Sequence, residues 1–121
     1  MVGGAIRDLL LGIEPNDVDI ACDDPRAYAA SISKRVIRLG TGEQLSAWRV
    51  VDSGHVYDFA ETLDHHIDAD LARRDFTVNA MALPMSGADL LDPHDGQGDL
   101  KRRVVRMISA ENFDDDPLRC L

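Results

Sequence analysis

The sequence predicts an α/β domain, a mixed sheet with helices mainly on one face, and three observations lead there. Short apolar runs suited to strands alternate with segments whose apolar residues recur at helical spacing. Two of the runs, "SAWRVVD" and "HVYDFA", are separated only by "SG", a tight-turn signature. Hydrophobic residues make up 45% of a 121-residue chain, enough to bury a core within one domain.

The elements follow in order. Val2 reads as the stub of a strand ending in Gly3-Gly4. "AIRDLLLG" carries apolar residues at helical spacing, with Gly12 as its stop. "VDIAC" reads as a short buried strand. "DDPRAYAASISKR" reads as a helix: Asp24 can cap it, Pro25 suits its first turn, and basic residues close its last. "VIRLG" is a strand, and the "SG" hairpin comes next. The acidic stretch from Glu61 to Asp70 reads as a loop leading into a short helix. "DFTVNAMAL" begins as a helical turn and ends extended. "SGAD" is a turn, "LLD" a short strand, "PHDGQGDLKRR" a loop and helix, "VVRMI" a last strand, and "DDDPLRCL" the start of a helix.

Composition narrows the function classes. Thirteen basic against 22 acidic residues give a net charge of −9. That weighs against this chain alone wrapping nucleic acid, because phosphate contacts need lysine and arginine. No apolar run approaches the ~18 residues of a membrane span. Met1 leads straight into "VGGAIRD" without a secretory pattern. Cys22 and Cys120 match no metal or redox spacing and read as reduced thiols, so the expected location is cytoplasmic.

The acids cluster, and one cluster carries chemistry. "PNDVDIA" places Asp17 and Asp19 on either side of one valine. In a strand such residues share a face, about 6.5–7 Å apart along the backbone. Two ionised carboxylates side by side need compensation. Two Mg²⁺ ions about 3.5–4 Å apart supply it, and they can hold the attacking and leaving oxygens of a phosphoryl transfer. Alone, D-x-D is more often a solvated turn before a strand. The "GGAIRD" block adds weight: Gly3 and Gly4 at a strand end, opening a helix, expose backbone N–H groups to an anion. Arg7, one turn in, can add a charge-assisted bond to a phosphate. In "HVYDFA" the alternation sets Tyr57 and Phe59 on one face and Asp58 with Val56 on the other. An acid in an apolar strand needs a partner, so Asp58 is the candidate third carboxylate; the solvent face of an edge strand is the alternative. Arg73-Arg74-Asp75 could be a surface ion pair, but Asn79 shares a helical face with Asp75, making a polar set suited to a ribose or phosphate. "DPHDGQGDLKRR" reads as structural, and His65-His66 as solvated.

Taken together, "VGGAIRDLLLG", "NDVDIA", "LARRDFTVNAMAL", "LLDPHDGQGDLKRRVVR" and "FDDDPLRCL" resemble the head domain of the bacterial tRNA nucleotidyltransferase and poly(A) polymerase family, over nearly the whole chain. The resemblance implies a polymerase-β-like nucleotidyltransferase fold. It implies transfer of a nucleotide from ATP, or from ATP and CTP, to an RNA 3′ hydroxyl, tRNA foremost, with release of pyrophosphate. By position, Asp17 and Asp19 look like the Mg²⁺-binding pair and Asp58 like the third acid. Gly4 and Arg7 look like nucleotide-phosphate contacts. Arg74 looks like a nucleotide-binding arginine, with Asp75 and Asn79 near the sugar, and Asp116 and Arg119 match positions that contact nucleotide in part of the family.

The same resemblance implies that residues 1–121 are a head domain alone, without the helical neck, body and tail domains that select the base and grip RNA. The family's first strand begins before Val2, so that edge is expected to fray or re-pair. After Asp58, "ETLDHHIDAD" is shorter and more acidic than the basic, glycine-rich loop many relatives carry. Two classes of function remain: a catalytic nucleotidyltransferase head, or a nucleotide- and Mg²⁺-binding module without turnover.

Overall fold

A computed structural model describes residues 1–40, 47–62 and 65–114. Val2 is the expected stub, held as a seam: its N–H donates to the Asp19 carbonyl at 2.9 Å, and it bridges antiparallel to Ala82 on its other side. Helix α1 (Gly4–Leu10) follows and buries Ala5 and Ile6. Strand β1 spans Asp17–Cys22. Helix α2 (Pro25–Ile32) starts as its sequence dictates, with the Asp24 carboxylate accepting from the Ala27 N–H at 3.0 Å and proline in the first turn. It ends one step early. Ser33 is extended (φ −144°, ψ 146°), so Lys34 and Arg35 lie beyond the helix rather than in its last turn.

Strand β2 is Ile37–Leu39, β3 is Ala47–Asp52 and β4 is His55–Glu61. The β3–β4 hairpin closes through Ser53 (φ 50°) and Gly54 (φ 86°), both left-handed, which matches the twist of the flanking strands. The sheet order is β1-β4-β3-β2, with β1 parallel to β4 and the other pairs antiparallel. One face packs on α2, where Ala29, Val50 and Phe59 are buried together with Ile20, Trp48 and Tyr57 around them. Arg26 lies 5.6 Å over the Trp48 ring, adding a cation–π contact at the border of this core. β1 is not the fully buried strand expected. Asp17 and Asp19 are exposed while Val18 and Ile20 are half-buried, because only one face of the strand is covered here.

The opposite face is covered at the end of β1. Ala21 packs against a second core of Val2, Leu71, Ala80 and Ala82. Leu71 comes from α3 (Ile67–Ala72), and the alanines flank Met81 just after a 3₁₀ turn, Thr77–Asn79. Helix α4 (Gly96–Arg102) is capped by Asp92, whose carboxylate accepts from the Gly96 and Gln97 N–H groups at 2.6 and 2.9 Å. Helix α5 is Glu111–Asp114.

Two expected strands shrink to single bridges, Leu91 with Ala82 and Met107 with Phe76. In the second, Arg106 turns to the buried Asp99 on α4. The expected helix in "DDDPLRCL" falls largely outside the described residues, as do Asp116, Arg119 and Cys120. Among the described residues, no helix is long and apolar enough to cross a membrane.

Candidate functional site

The polar face of the sheet carries the chemistry. Strand alternation sends Asp17 and Asp19 away from the α2 core, and β4 sends Asp58 the same way. The parallel register sets Asp19 beside Asp58, and the antiparallel one sets Asp58 beside Arg49. One row therefore reads acid, acid, arginine across three strands.

The two ends of that row differ. Arg49 holds Asp58 with both prongs, Nε donating to Oδ1 at 2.8 Å and Nη2 to Oδ2 at 2.7 Å. Neither Asp17 nor Asp19 is ion-paired among the described residues. The Asp19 carboxyl is pushed above the usual carboxylate range although the residue keeps solvent access. Desolvation by the surrounding protein leads, Arg74 opposes it, and the charges of Asp58 and Asp17 add to the rise.

The glycine corner meets this row from the side. Gly3 adopts φ +79°, and a Cβ there would stand 2.6 Å from Arg74 Nη1 and 3.4 Å from Asp19 Oδ2. The conformation calls for glycine, and any side chain there would have to displace the tip of Arg74. Arg74 reaches the corner from the end of α3, donating from Nε and Nη2 to Asp70 Oδ2 at 3.3 and 3.2 Å. The Gly3 N–H is already spent on the Met81 carbonyl at 3.1 Å, so Gly3 shapes the corner and does not offer its amide to an anion as expected.

A second polar chain borders the corner. Arg7 Nη1 donates to Asn79 Oδ1 at 2.7 Å, and Asn79 Nδ2 donates to Asp75 Oδ1 at 3.1 Å. Asp75 Oδ1 also accepts from the Phe76 N–H at 2.7 Å, fixing its rotamer. Arg7 is further held by Asp8, with Nε at 2.9 Å and Nη2 at 2.7 Å from Oδ1. The fold thus brings Asp19 and Arg74 to the Gly3 corner, sets Asp17 and Asp58 beside Asp19 on the sheet, and links Arg7, Asn79 and Asp75 in a chain next to Gly4.

Two participants went unnoticed in the sequence. Asp8 orients Arg7, and its adjacency offers no periodic signal. Arg49 neutralises Asp58, and counting back from the "SG" turn places it opposite that acid.

The donor chemistry fits a hard divalent cation. Asp17 and Asp19 present carboxylate oxygens that no cationic side chain among the described residues pairs with, and Mg²⁺ is commonly held by one or two carboxylates together with water and substrate phosphates. Among the described residues, no group of three His, Cys, Asp or Glu side chains is placed to hold a metal, and Asp58 is turned to Arg49.

The family model for the poly A polymerase head domain matches residues 1–66 and 49–106. The chain belongs to the poly A polymerase head domain family. It is 46% identical to the A-adding tRNA nucleotidyltransferase of Deinococcus radiodurans over 98% of its own length and 27% of that protein's. It is 46% identical to the CC-adding tRNA nucleotidyltransferase of Geobacter sulfurreducens over 98% of its length and 29% of that protein's. Among solved structures, the CCA-adding enzyme of Bacillus stearothermophilus in complex with CTP superposes with a TM-score of 0.73 at 33% identity, covering 98% of this chain and 32% of that one. A tRNA-processing enzyme with CTP gives 0.78 at 32% identity, covering 98% and 34%. This member of the family therefore spans about a third or less of the length of these relatives, and its architecture is the polymerase-β-like nucleotidyltransferase fold.

Proposed function

We propose that this head domain is the nucleotidyl-transferring part of a tRNA 3′-end enzyme in the cytoplasm. It would pass AMP, or CMP and AMP, from ATP or CTP to an RNA 3′ hydroxyl and release pyrophosphate. The observation that carries the reading is the meeting of Asp19 with the Gly3 corner and Arg74, with Asp17 two residues away on the same face of β1 and neither acid ion-paired among the described residues. The names of the relatives, A-adding, CC-adding and CCA-adding, and the CTP in two matched structures point the same way.

The residues divide the work. Asp17 and Asp19 would hold Mg²⁺, with Asp58 as the third acid. Bound there, the metal supplies charge neutralisation on the triphosphate and a lower pKa for the attacking hydroxyl. Arg74, at the glycine corner beside Asp19, would take the phosphates, and its position next to the carboxylates puts positive charge where pyrophosphate leaves. The Gly4 amide, in the first turn of α1 with no intrahelical acceptor, would add a neutral donor. Asp75 and Asn79, locked to each other and to Arg7, would orient the sugar. Asp116 and Arg119 would complete the nucleotide contacts. Base choice and the grip on RNA belong to whatever polypeptide accompanies this acidic domain.

The test is incorporation of labelled AMP or CMP into tRNA lacking its 3′ end, with Mg²⁺, by the chain and by its Asp17→Asn and Asp19→Asn variants. The reading expects incorporation that both variants lose. Mg²⁺-dependent ATP binding without incorporation would leave a binding module, and no nucleotide binding at all would sink the reading.

A further inference from the structure

Arg49 has no role in the proposed transfer, yet it holds one of the three acids. The pair is built by register: Arg49 on β3 stands directly opposite Asp58 on β4, so the planar guanidinium meets the carboxylate as a fork. Asp58 in turn stands beside Asp19 across the parallel β1–β4 pair. The carboxylate thus has two neighbours to choose between, a guanidinium on one side and an acid pair on the other. In this structure it chooses the guanidinium with both oxygens. Among the described residues no group of three donors is placed to hold a metal, although three acids lie on one face of adjacent strands.

We propose that Arg49 is a resident counter-cation for Asp58, a latch that a divalent cation must open before the third carboxylate can join Asp17 and Asp19. The inference rests on the metal-binding reading of that pair. It adds a positioning residue that sets how tightly the site takes its cation. The exchange keeps Asp58 beside positive charge throughout, a single charge from Arg49 giving way to the two of the divalent cation. It also frees Arg49 on the face where nucleotide phosphates would lie. Arg49 and Asp58 are 39% and 22% exposed, so the pair is solvated enough to open without leaving a buried charge behind.

The experiment is calorimetric titration of Mg²⁺, and of Mn²⁺ as a tighter-binding probe, into the 121-residue chain without nucleotide. Four proteins form a cycle: the parent, Arg49→Gln, Asp58→Asn and the double variant. Releasing Asp58 is expected to tighten Arg49→Gln by roughly three- to tenfold. In the Asp58→Asn background the same substitution is expected to change nothing. A gain that persists without Asp58 would mean Arg49 repels cations through space, and the latch would be wrong. Equal affinities in the parent and Arg49→Gln would also overturn it. Asp17→Asn separates this from the underlying reading: its loss of Mg²⁺ binding upholds the acid pair whatever Arg49 does, while retained binding removes both. Arg49→Lys, which keeps the charge and loses the fork, gives the same contrast if circular dichroism shows that glutamine perturbs the sheet.

Discussion

Gly3 and Arg74 are in contact across the site, with the guanidinium of one lying 2.6 Å from where a side chain on the other would begin. Gly3→Ala must therefore both hold a left-handed backbone and push Arg74 off the corner. We expect a loss of about 1–3 kcal/mol in urea unfolding, read as a lower midpoint at unchanged slope. Gly4→Ala is the control, because its backbone is already helical and its added carbon would come no closer than 3.3 Å to the Arg7 guanidinium.

Asp17→Asn and Asp19→Asn remove charge from the open face and leave the α2 core untouched. Circular dichroism should be unchanged in both. Mg²⁺-dependent nucleotide transfer, where the parent has it, should fall by on the order of a hundredfold or more. Retained turnover in either variant would remove the acid pair from the mechanism.

Asp99 gives a pH prediction. It is 1% exposed and accepts from Thr77 Oγ1 at 2.8 Å, Arg102 at 2.8 Å and Arg106 at 3.0 and 3.1 Å. Those arginines are themselves more than half exposed, so Asp99 is covered by its partners rather than by depth. Hydrogen bonds from Arg106, then Arg102 and Thr77, hold its carboxyl well below the usual range. A depressed folded-state pKa stabilises above the unfolded value near ~4 and is lost as pH falls through and below it. Thermal unfolding between about pH 6 and pH 2 should show this acid-side loss, and Asp99→Asn should flatten it while lowering stability at neutral pH.

Asp24→Ala removes the side-chain acceptor from the Ala27 N–H and with it the cap of α2. A loss of about 1 kcal/mol is expected in chemical denaturation, with Asp23→Ala close to neutral. Equal effects at the two positions would show that charge near the helix start matters, not the cap.

What could be read from the chain is what its neighbours in sequence decide. Asp24-Pro25 sets the start of α2, and Ser53-Gly54 sets the hairpin; both are local chemistry, and both are as expected. The strand pair carrying Asp19 and Asp58 is legible as two strands, while their parallel adjacency depends on everything folded between them. Arg49 was within reach, since fixing the turn fixes the register that faces it to Asp58. Arg106 was not. "VVRMI" has the apolar content of a strand, but a buried carboxylate seven residues earlier draws its arginine away. The end of α2 is hidden for a similar reason: basic residues suit a last turn, yet the backbone is already extended at Ser33.

β1 is a sheet margin. β4 pairs along one side of it, while on the other only Val2 makes a bridge among the described residues. A bare margin invites a strand from a second molecule, and charged side chains are a common deterrent. The charges of Asp17 and Asp19 on this margin strand thus discourage self-association as well as serving the site. Neutral replacements at these positions should sediment as larger species at high concentration, a liability separate from any lost chemistry.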